Sequence, residues 1–376
     1  MIWYLLLAAP AVLLAWLSLR GDRRRAEYAA QRLTAPDGPL PPVTLIVPVK
    51  GADEGLRENL AALASQDYPD YELIVTAHTA DDIPPGVLPA RARVVLSHAP
   101  ESQTSEKVQN LLAAVRIARK RSLVLAFADS DGRPGKRWLR ALVAPLSEPG
   151  VGASTGYRWF MPQPADFWSL LRGVWDAVAA GVLGPGDNRF VWGGAMALRK
   201  ETFFEARVPE RWEGEISDDY ALSEAVREMN LTVAYAPGAL TPCGEHISMR
   251  RFFTWTRRQM AITRMYSPTL WWPGLIAHVL YCAAMMESAV LAWRGSVLAA
   301  VIFALQLLPG MWKGWRRAQL ARRALPEHEQ WFRRWGWVHG IFVPLSTWAW
   351  LIALSSSAFL HRIEWRGRLY ELKRRS

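Results

Sequence analysis

Hydrophobic and polar positions divide this chain into unlike parts. Residues 1–19 carry no charge, and Arg20-Gly21-Asp22-Arg23-Arg24-Arg25 follows at once. A membrane span needs about 20 apolar residues. A cleaved signal peptide carries its positive charge in front of the apolar stretch, whereas the basic cluster here lies behind it. The pattern predicts an uncleaved anchor over residues 1–20, with its basic flank in the cytoplasm. Three more apolar runs, near 268–292, 296–312 and 337–360, predict a C-terminal membrane region over 267–360. The connection 313–334 is rich in arginine and belongs in the cytoplasm. Four full spans would leave both termini outside, yet the tail 361–376 is basic and favours the cytoplasm. One run is therefore expected to be re-entrant or interfacial, broken at Pro344 or Pro309.

The middle of the chain reads differently. Residues 41–50, 72–76, 92–96 and 123–128 are short β-branched or apolar runs, the pattern of buried strands. Between them, residues 54–65 and 106–119 have helical spacing, and Gln66-Asp67-Tyr68-Pro69 is a turn. Strands alternating with helices predict an α/β domain with a parallel sheet over residues 40–246. Ligands on such sheets bind at the carboxyl ends of the strands.

Composition narrows the classes. Of 376 residues 51% are hydrophobic, which excludes a disordered chain. Two cysteines, Cys243 and Cys282, cannot form a disulfide framework or a Cys-rich zinc site. Much of the net charge of +11 flanks apolar runs, and no nucleic-acid motif appears, so no nucleic-acid partner is expected.

Candidate chemistry follows the strands. Asp129-Ser130-Asp131 comes directly after the run 123–128. Two carboxylates at a strand end suit one Mg²⁺ or Mn²⁺ together with substrate phosphates; alone, the motif also reads as a turn or helix cap. Glu215-Ile216-Ser217-Asp218-Asp219 is a second acidic group. Adjacent carboxylates repel, and one with a raised pKa suits a general base; a helix N-cap is compatible with the same residues. Gly193-Gly194 permits close backbone approach to a ligand, or a plain bend. Lys107, at the start of a helix, suits a phosphate or a solvated surface. Residues 247–266 interleave basic and aromatic residues before an apolar run, as an interfacial amphipathic segment does. Arg257 and Arg258 there could grip a diphosphate. His278 and Glu287 lie inside an apolar run and are candidates by position.

Taken in order, residues 43–50 and 66–72, Lys107–Asn110, Asp129-Ser130-Asp131, Gly193-Gly194 and Asp218-Asp219-Tyr220-Ala221-Leu222 resemble family 2-like inverting glycosyltransferases. The resemblance is strongest to the ceramide glucosyltransferase group with its bacterial, hopanoid-associated relatives. It covers about residues 40–266, and Trp365-Arg366-Gly367-Arg368-Leu369-Tyr370 is similar to that group's C-terminus. The resemblance implies a GT-A (Rossmann-like) fold, a nucleotide-sugar donor (usually a UDP-sugar), a membrane lipid acceptor and a divalent metal. It also implies a multi-pass protein of the bacterial inner membrane with a cytoplasmic catalytic domain. Carried over by position, Asp129 and Asp131 would hold the metal and diphosphate. Asp219 would be the base, with Asp218 orienting the loop or capping the helix. Pro48 and Lys50 would line the nucleotide pocket. Two departures stand out. The family's Asp after the second strand is Thr79 here, with Asp81 or Asp82 as substitutes. The family's Gln/Arg-x-x-Arg-Trp motif reads Arg251-Phe252-Phe253-Thr254-Trp255, with Arg257, Arg258 and Gln259 as replacement donors.

The leading expectation is a lipid-directed glycosyltransferase. A processive polysaccharide synthase would keep the chemistry, but it calls for an intact Gln-x-x-Arg-Trp motif and more spans. A catalytically inactive nucleotide-sugar-binding protein has only the missing Asp near Thr79 in its favour.

Overall fold

The computed structural model describes residues 2–35, 38–98, 100, 102–188 and 190–372; residues 373–376 of the expected basic tail lie outside the described residues. Helix α1 (Ile2–Thr34) continues well past the apolar stretch. Its basic second half packs on the globular part: Tyr28 Oη donates to the Tyr235 carbonyl at 2.7 Å, and Arg32 pairs with Glu148.

Strands β1 (Val43–Pro48), β2 (Tyr71–Ala77), β3 (Ala92–Leu96) and β4 (Val124–Ala128) run parallel. Strand β5 (Val151–Phe160) runs parallel to β7 (Thr232–Cys243), and β6 (Ala195–Arg199) lies antiparallel between β4 and β5. The order across the seven-stranded sheet is β3-β2-β1-β4-β6-β5-β7. The α/β architecture expected from the alternation is present, but the sheet is mixed, because β6 enters against the direction of its neighbours.

Successive strand residues enter opposite cores. Leu45, Val47 and Val49 join one cluster and Ile46 the other; Leu73 and Val75 oppose Ile74; Ala126 and Ala128 oppose Leu125 and Phe127. Both faces are buried, so the strands read as unbroken apolar runs. Helices α2 (Leu56–Ala64), α4 (Trp138–Val143) and α5 (Phe167–Ala180) supply Leu60, Trp138 and Leu170 to one face. On the other face, α3 (Glu106–Arg116), α6 (Lys200–Glu205), α7 (Val208–Trp212) and α8 (Asp218–Glu228) supply Leu111, Phe203, Trp212 and Leu222.

After β7 come α9 (Met249–Tyr266), α10 (Pro268–Trp293) and α11 (Val297–Ala324). Among the described residues, three helices, α1, α10 and α11, are long and apolar enough to cross a membrane. After the short α12 (Glu329–Trp335), the fourth apolar run is split into α13 (Val338–Ile341) and α14 (Val343–Ser357). Pro344 sits in the first turn of α14, where its missing N–H costs nothing and its ring favours a helix start. The 15 residues of α14 reach about 22 Å, short of the ~30 Å of a hydrocarbon core. Pro309 is carried inside α11, which runs on through its basic residues. There Arg316 meets Asp22 at 3.1 Å and Arg317 donates to the Ala177 carbonyl at 2.9 Å. The basic ends of α1 and α11 thus tie the globular domain to the apolar helices.

Candidate active site

Sheet topology brings distant motifs together. Strands β1 and β4 are parallel neighbours, so the segments after them, with Lys50 and with Asp129-Ser130-Asp131, emerge side by side. Strand β6 is antiparallel to β4, with Ala195 opposite Ala128. Gly193-Gly194, just before β6, therefore arrives beside the end of β4, and Asp129 N donates to the Gly194 carbonyl at 3.3 Å. A Cβ on Gly194 would lie 2.6 Å from Asp129 Oδ2 and 2.2 Å from the Trp192 ring; one on Gly193 would lie 2.6 Å from Asp218 Oδ2 and 2.9 Å from Lys107 Nζ. Close approach, rather than a bend, requires glycine at both positions.

Two helix N-termini complete the group. Ser217 caps α8 by accepting from Tyr220 N, which sets Asp218 and Asp219 in the first turn, where the helix dipole favours carboxylates. Ser105 caps α3 by accepting from Val108 N, which brings Lys107 to the same place. Lys107 Nζ lies 2.9 Å from Asp129 Oδ1 and 3.1 Å from Asp218 Oδ2. Burial opposes its charge, but Asp129, then Asp218 and Asp219, outweigh burial and raise its pKa. Asp218 is 2% exposed. Burial pushes its carboxyl up to about 6; Lys107 works against that and Asp219 reinforces it. Asp219 is half-buried, with Oδ2 accepting from Gly193 N at 3.3 Å and Oδ1 from Tyr220 N at 2.8 Å and from Ser217 Oγ.

These groups line a cleft of about 1150 Å³. Of the residues expected from the sequence, Pro48, Lys50, Lys107, Asp129, Asp131, Gly193, Asp218, Asp219, Trp255, Arg258 and Gln259 line it. Gly194 is not among the lining residues and touches the site through its carbonyl, which accepts from Asp129 N. Asp81, Asp82 and Arg257 are not among the lining residues. The Asp82 carboxylate is spent on a local capping box, accepting from Thr79 N at 3.0 Å and Thr79 Oγ1 at 3.2 Å. Arg257 falls on the exposed face of α9, whereas Arg258 and Gln259 turn inward; burial, then Arg158 and Arg366, lowers the pKa of Arg258 to about 10. Thr254 also faces the cleft, at the position where the resemblance calls for arginine.

Several lining residues escaped the sequence reading. Arg158 on β5 forms a two-pronged pair with Asp176 on α5, at 3.1 and 2.9 Å, and lies 5.0 Å from the Trp255 ring centre. Their signal was the single charge of β5, Arg158, and one of the two charges, Arg172 and Asp176, in the mostly apolar α5. Asp53 accepts from Ser130 Oγ at 2.6 Å. Beyond the charged end, the cleft extends between Leu270, Trp271 and Gly274 of α10 and Trp350 and Leu354 of α14. His278 faces this arm, with Nδ1 2.7 Å from the Gly274 carbonyl, while Glu287 is not among its lining residues.

The acidic end fits a divalent cation. Asp131 Oδ1 is shielded from solvent and has no hydrogen-bond partner among the described residues. Burial, then the charges of Asp129 and Asp53, pushes the Asp131 carboxyl up to about 7. An all-oxygen donor set suits a hard cation that takes its remaining ligands from phosphate and water. Accordingly, no group of three His, Cys, Asp or Glu among the described residues encloses a metal by itself.

A family model described as Glycosyl transferase family 21 matches residues 3–376. No curated protein matches the chain in sequence. Among solved structures, a mannosyltransferase from Pyrobaculum calidifontis, described in complex with GDP-Man and Mn2+, is similar at 19% identity and a TM-score of 0.51, covering 94% of this chain and 99% of its own. Glucosyl-3-phosphoglycerate synthase from Mycobacterium tuberculosis is 16% identical with a TM-score of 0.39, covering 60% of this chain and 79% of its own. The first likeness is one of fold, and the second is too distant to carry an argument.

Proposed function

The chain belongs to glycosyl transferase family 21 and is a glycosyltransferase; on that premise we propose that it moves a sugar, with inversion, from a UDP-sugar to a hydroxyl of a membrane lipid such as ceramide. The observation that carries the reading is the two-ended cleft. One end gathers Asp129, Asp131, Asp218, Asp219 and Lys107; the other runs between apolar side chains of α10 and α14. A nucleotide diphosphate suits the first end and an acyl chain the second.

In this reading Asp219 takes the proton of the acceptor hydroxyl. Its contacts to Ser217, Tyr220 and Gly193 fix the carboxylate before substrate arrives. The freed oxygen attacks the anomeric carbon from the face opposite the diphosphate, and the carbon–oxygen bond to the diphosphate breaks with its electron pair. Asp129 and Asp131 would hold Mg²⁺ or Mn²⁺. The bound cation supplies positive charge next to the leaving diphosphate. Lys107 adds a fixed cation, and Asp218, buried against it, positions that lysine. Pro48, Lys50, Trp255, Arg258 and Gln259 line the same cleft and would hold the nucleotide sugar. The Mn2+ in the mannosyltransferase's description agrees with a divalent cation here. A polysaccharide synthase is the poorer reading, because Leu270, Trp271 and Leu354 suit an acyl chain better than a hydrated polymer.

The globular domain faces the cytoplasm in this reading. The basic flank of α1 supports that side, and three spans return the tail to it. The test is donor turnover by the purified protein with and without metal. Transfer should need Mg²⁺ or Mn²⁺, and Asp129→Asn or Asp131→Asn should lower it by about 100-fold or more, with melting unchanged. Full turnover in EDTA would overturn the assignment.

A further inference from the structure

The chain after α14 folds back as a hairpin of β8 (Arg362–Trp365) and β9 (Arg368–Glu371). Its two turn residues, Arg366 and Gly367, both have positive φ, 51° and 78°. Such turns favour Asn-Gly or Gly-Gly. An arginine in the first position carries a backbone cost, which persists only where surrounding contacts offset it.

Those contacts lie at the charged end of the cleft. Arg366 Nη1 is 2.6 Å from Asp53 Oδ1 and donates to the Lys50 carbonyl at 3.2 Å. Arg368 Nε is 2.7 Å from Glu106 Oε2, and Tyr370 Oη accepts from Glu106 N at 3.2 Å. Ile363 and Tyr370 pack with Ile216 and Ala261. One hairpin thus touches the loop after β1, the residue before Lys107, the approach to Asp218 and helix α9. Trp365, Arg366 and Tyr370 line the cleft itself, and the Arg258 guanidinium lies 5.7 Å from the Trp365 ring centre.

Through Asp53 the hairpin tip also reaches the acidic loop, since Asp53 Oδ2 accepts from the Ser130 hydroxyl between Asp129 and Asp131. Several other cations nearby are already paired, and Arg258 is a further cation that lines the same cleft. Lys107 is held by Asp129 and Asp218, Arg158 by Asp176, and Arg172 by Glu245 at 2.8 Å. The contacts of Arg366 given above use Nη1 alone, which leaves its Nε–Nη2 edge for an oxyanion.

We propose that the C-terminal hairpin is a wall of the donor site and that Arg366 binds the donor's diphosphate. The inference rests on the reading that this end of the cleft holds the nucleotide sugar. The strained Arg-Gly turn then serves to aim a guanidinium, and Asp53 holds it in place before the diphosphate arrives. Arg366 is thereby a donor-binding residue, and Arg368 and Tyr370 are positioning residues that anchor the hairpin on Glu106.

The experiment measures binding of UDP and of UMP, with Mn²⁺ present, to the full chain in detergent. Wild type, Arg366→Ala, Arg366→Lys and Asp129→Asn are compared. Arg366→Ala should weaken UDP by about 10- to 100-fold, the loss of one charge-assisted pair, and should narrow the gap between UDP and UMP. Arg366→Lys keeps the charge and should bind UDP between the two; it also serves as the folded variant if the alanine form melts early. The KM for the lipid acceptor should stay within about twofold, since a donor-site contact has no part in acceptor binding. Unchanged UDP affinity in both Arg366 variants, with Asp129→Asn weakened, would overturn the role of the hairpin and leave the donor site standing. No UDP binding by the wild type would remove the donor reading itself.

Discussion

Asp218 and Asp219 are neighbours in the chain but not in environment, because successive helical positions diverge by about 100°. Asp218 is buried against Lys107, whereas Asp219 faces the cleft with both oxygens aligned by donors. Asp219→Asn should abolish transfer while donor binding survives, since a base acts in the transition state. Asp218→Asn should be milder, about 10- to 100-fold, because it loosens Lys107 without touching the acceptor. Single-turnover rates, with donor affinity measured separately, distinguish the two; a dead Asp218→Asn beside a near-normal Asp219→Asn would shift the base by one residue. The positions of both acids and of the Asp129–Asp131 pair were legible locally, because they lie at the start of a helix and just after a strand, and the paired glycines directly precede a strand. Asp81 and Asp82 are not among the residues that line the cleft. Their position after β2 suggested a ligand role, but Thr79 folds the Asp82 carboxylate back onto its own turn.

At the scale of elements, the site depends on one strand running the other way. The antiparallel course of β6 is what carries Gly193 and Gly194 to Asp129, and no local pattern announces a pairing made across some 70 residues. The same holds for Arg158 with Asp176, visible in sequence only as stray charges in apolar segments. The split of the fourth apolar run was legible at Pro344, though the sequence left Pro309 equally open. Its consequence is an apolar arm between α10 and α14. Gly274 faces that arm, and a Cβ there would meet nothing within 4 Å. Gly274→Leu should therefore fold normally and obstruct the arm. The KM for the lipid acceptor should rise by about tenfold while donor KM and metal dependence hold, the separation expected if the arm holds lipid. An equal rise in donor KM would contradict that division of the cleft.

For the whole molecule, a topology of three spans, proposed from the three described helices long and apolar enough to cross, would remove the conflict that four apolar runs created. With α14 too short to cross, a cytoplasmic end of α1 places the end of α11, and the chain after it, on the same side. The side can be read with a cysteine at Lys120, an exposed position, because the native Cys243 and Cys282 are buried. Lys120→Cys should react with an impermeant maleimide only after the membrane is opened; labelling in intact cells would invert the orientation. On the proposed reading, a cytoplasmic donor site joined to an apolar arm that takes lipid would have one product, a glycosylated lipid. The most direct measurement is therefore mass spectrometry of membrane lipids after incubating the reconstituted protein with nucleotide sugars, Mg²⁺ or Mn²⁺ and a lipid extract, beside Asp219→Asn. The wild type should yield a lipid heavier by one sugar residue, absent from Asp219→Asn and from EDTA-treated samples. Donor consumption that gives only a soluble polymer, or a glycolipid made equally well by Asp219→Asn, would contradict it.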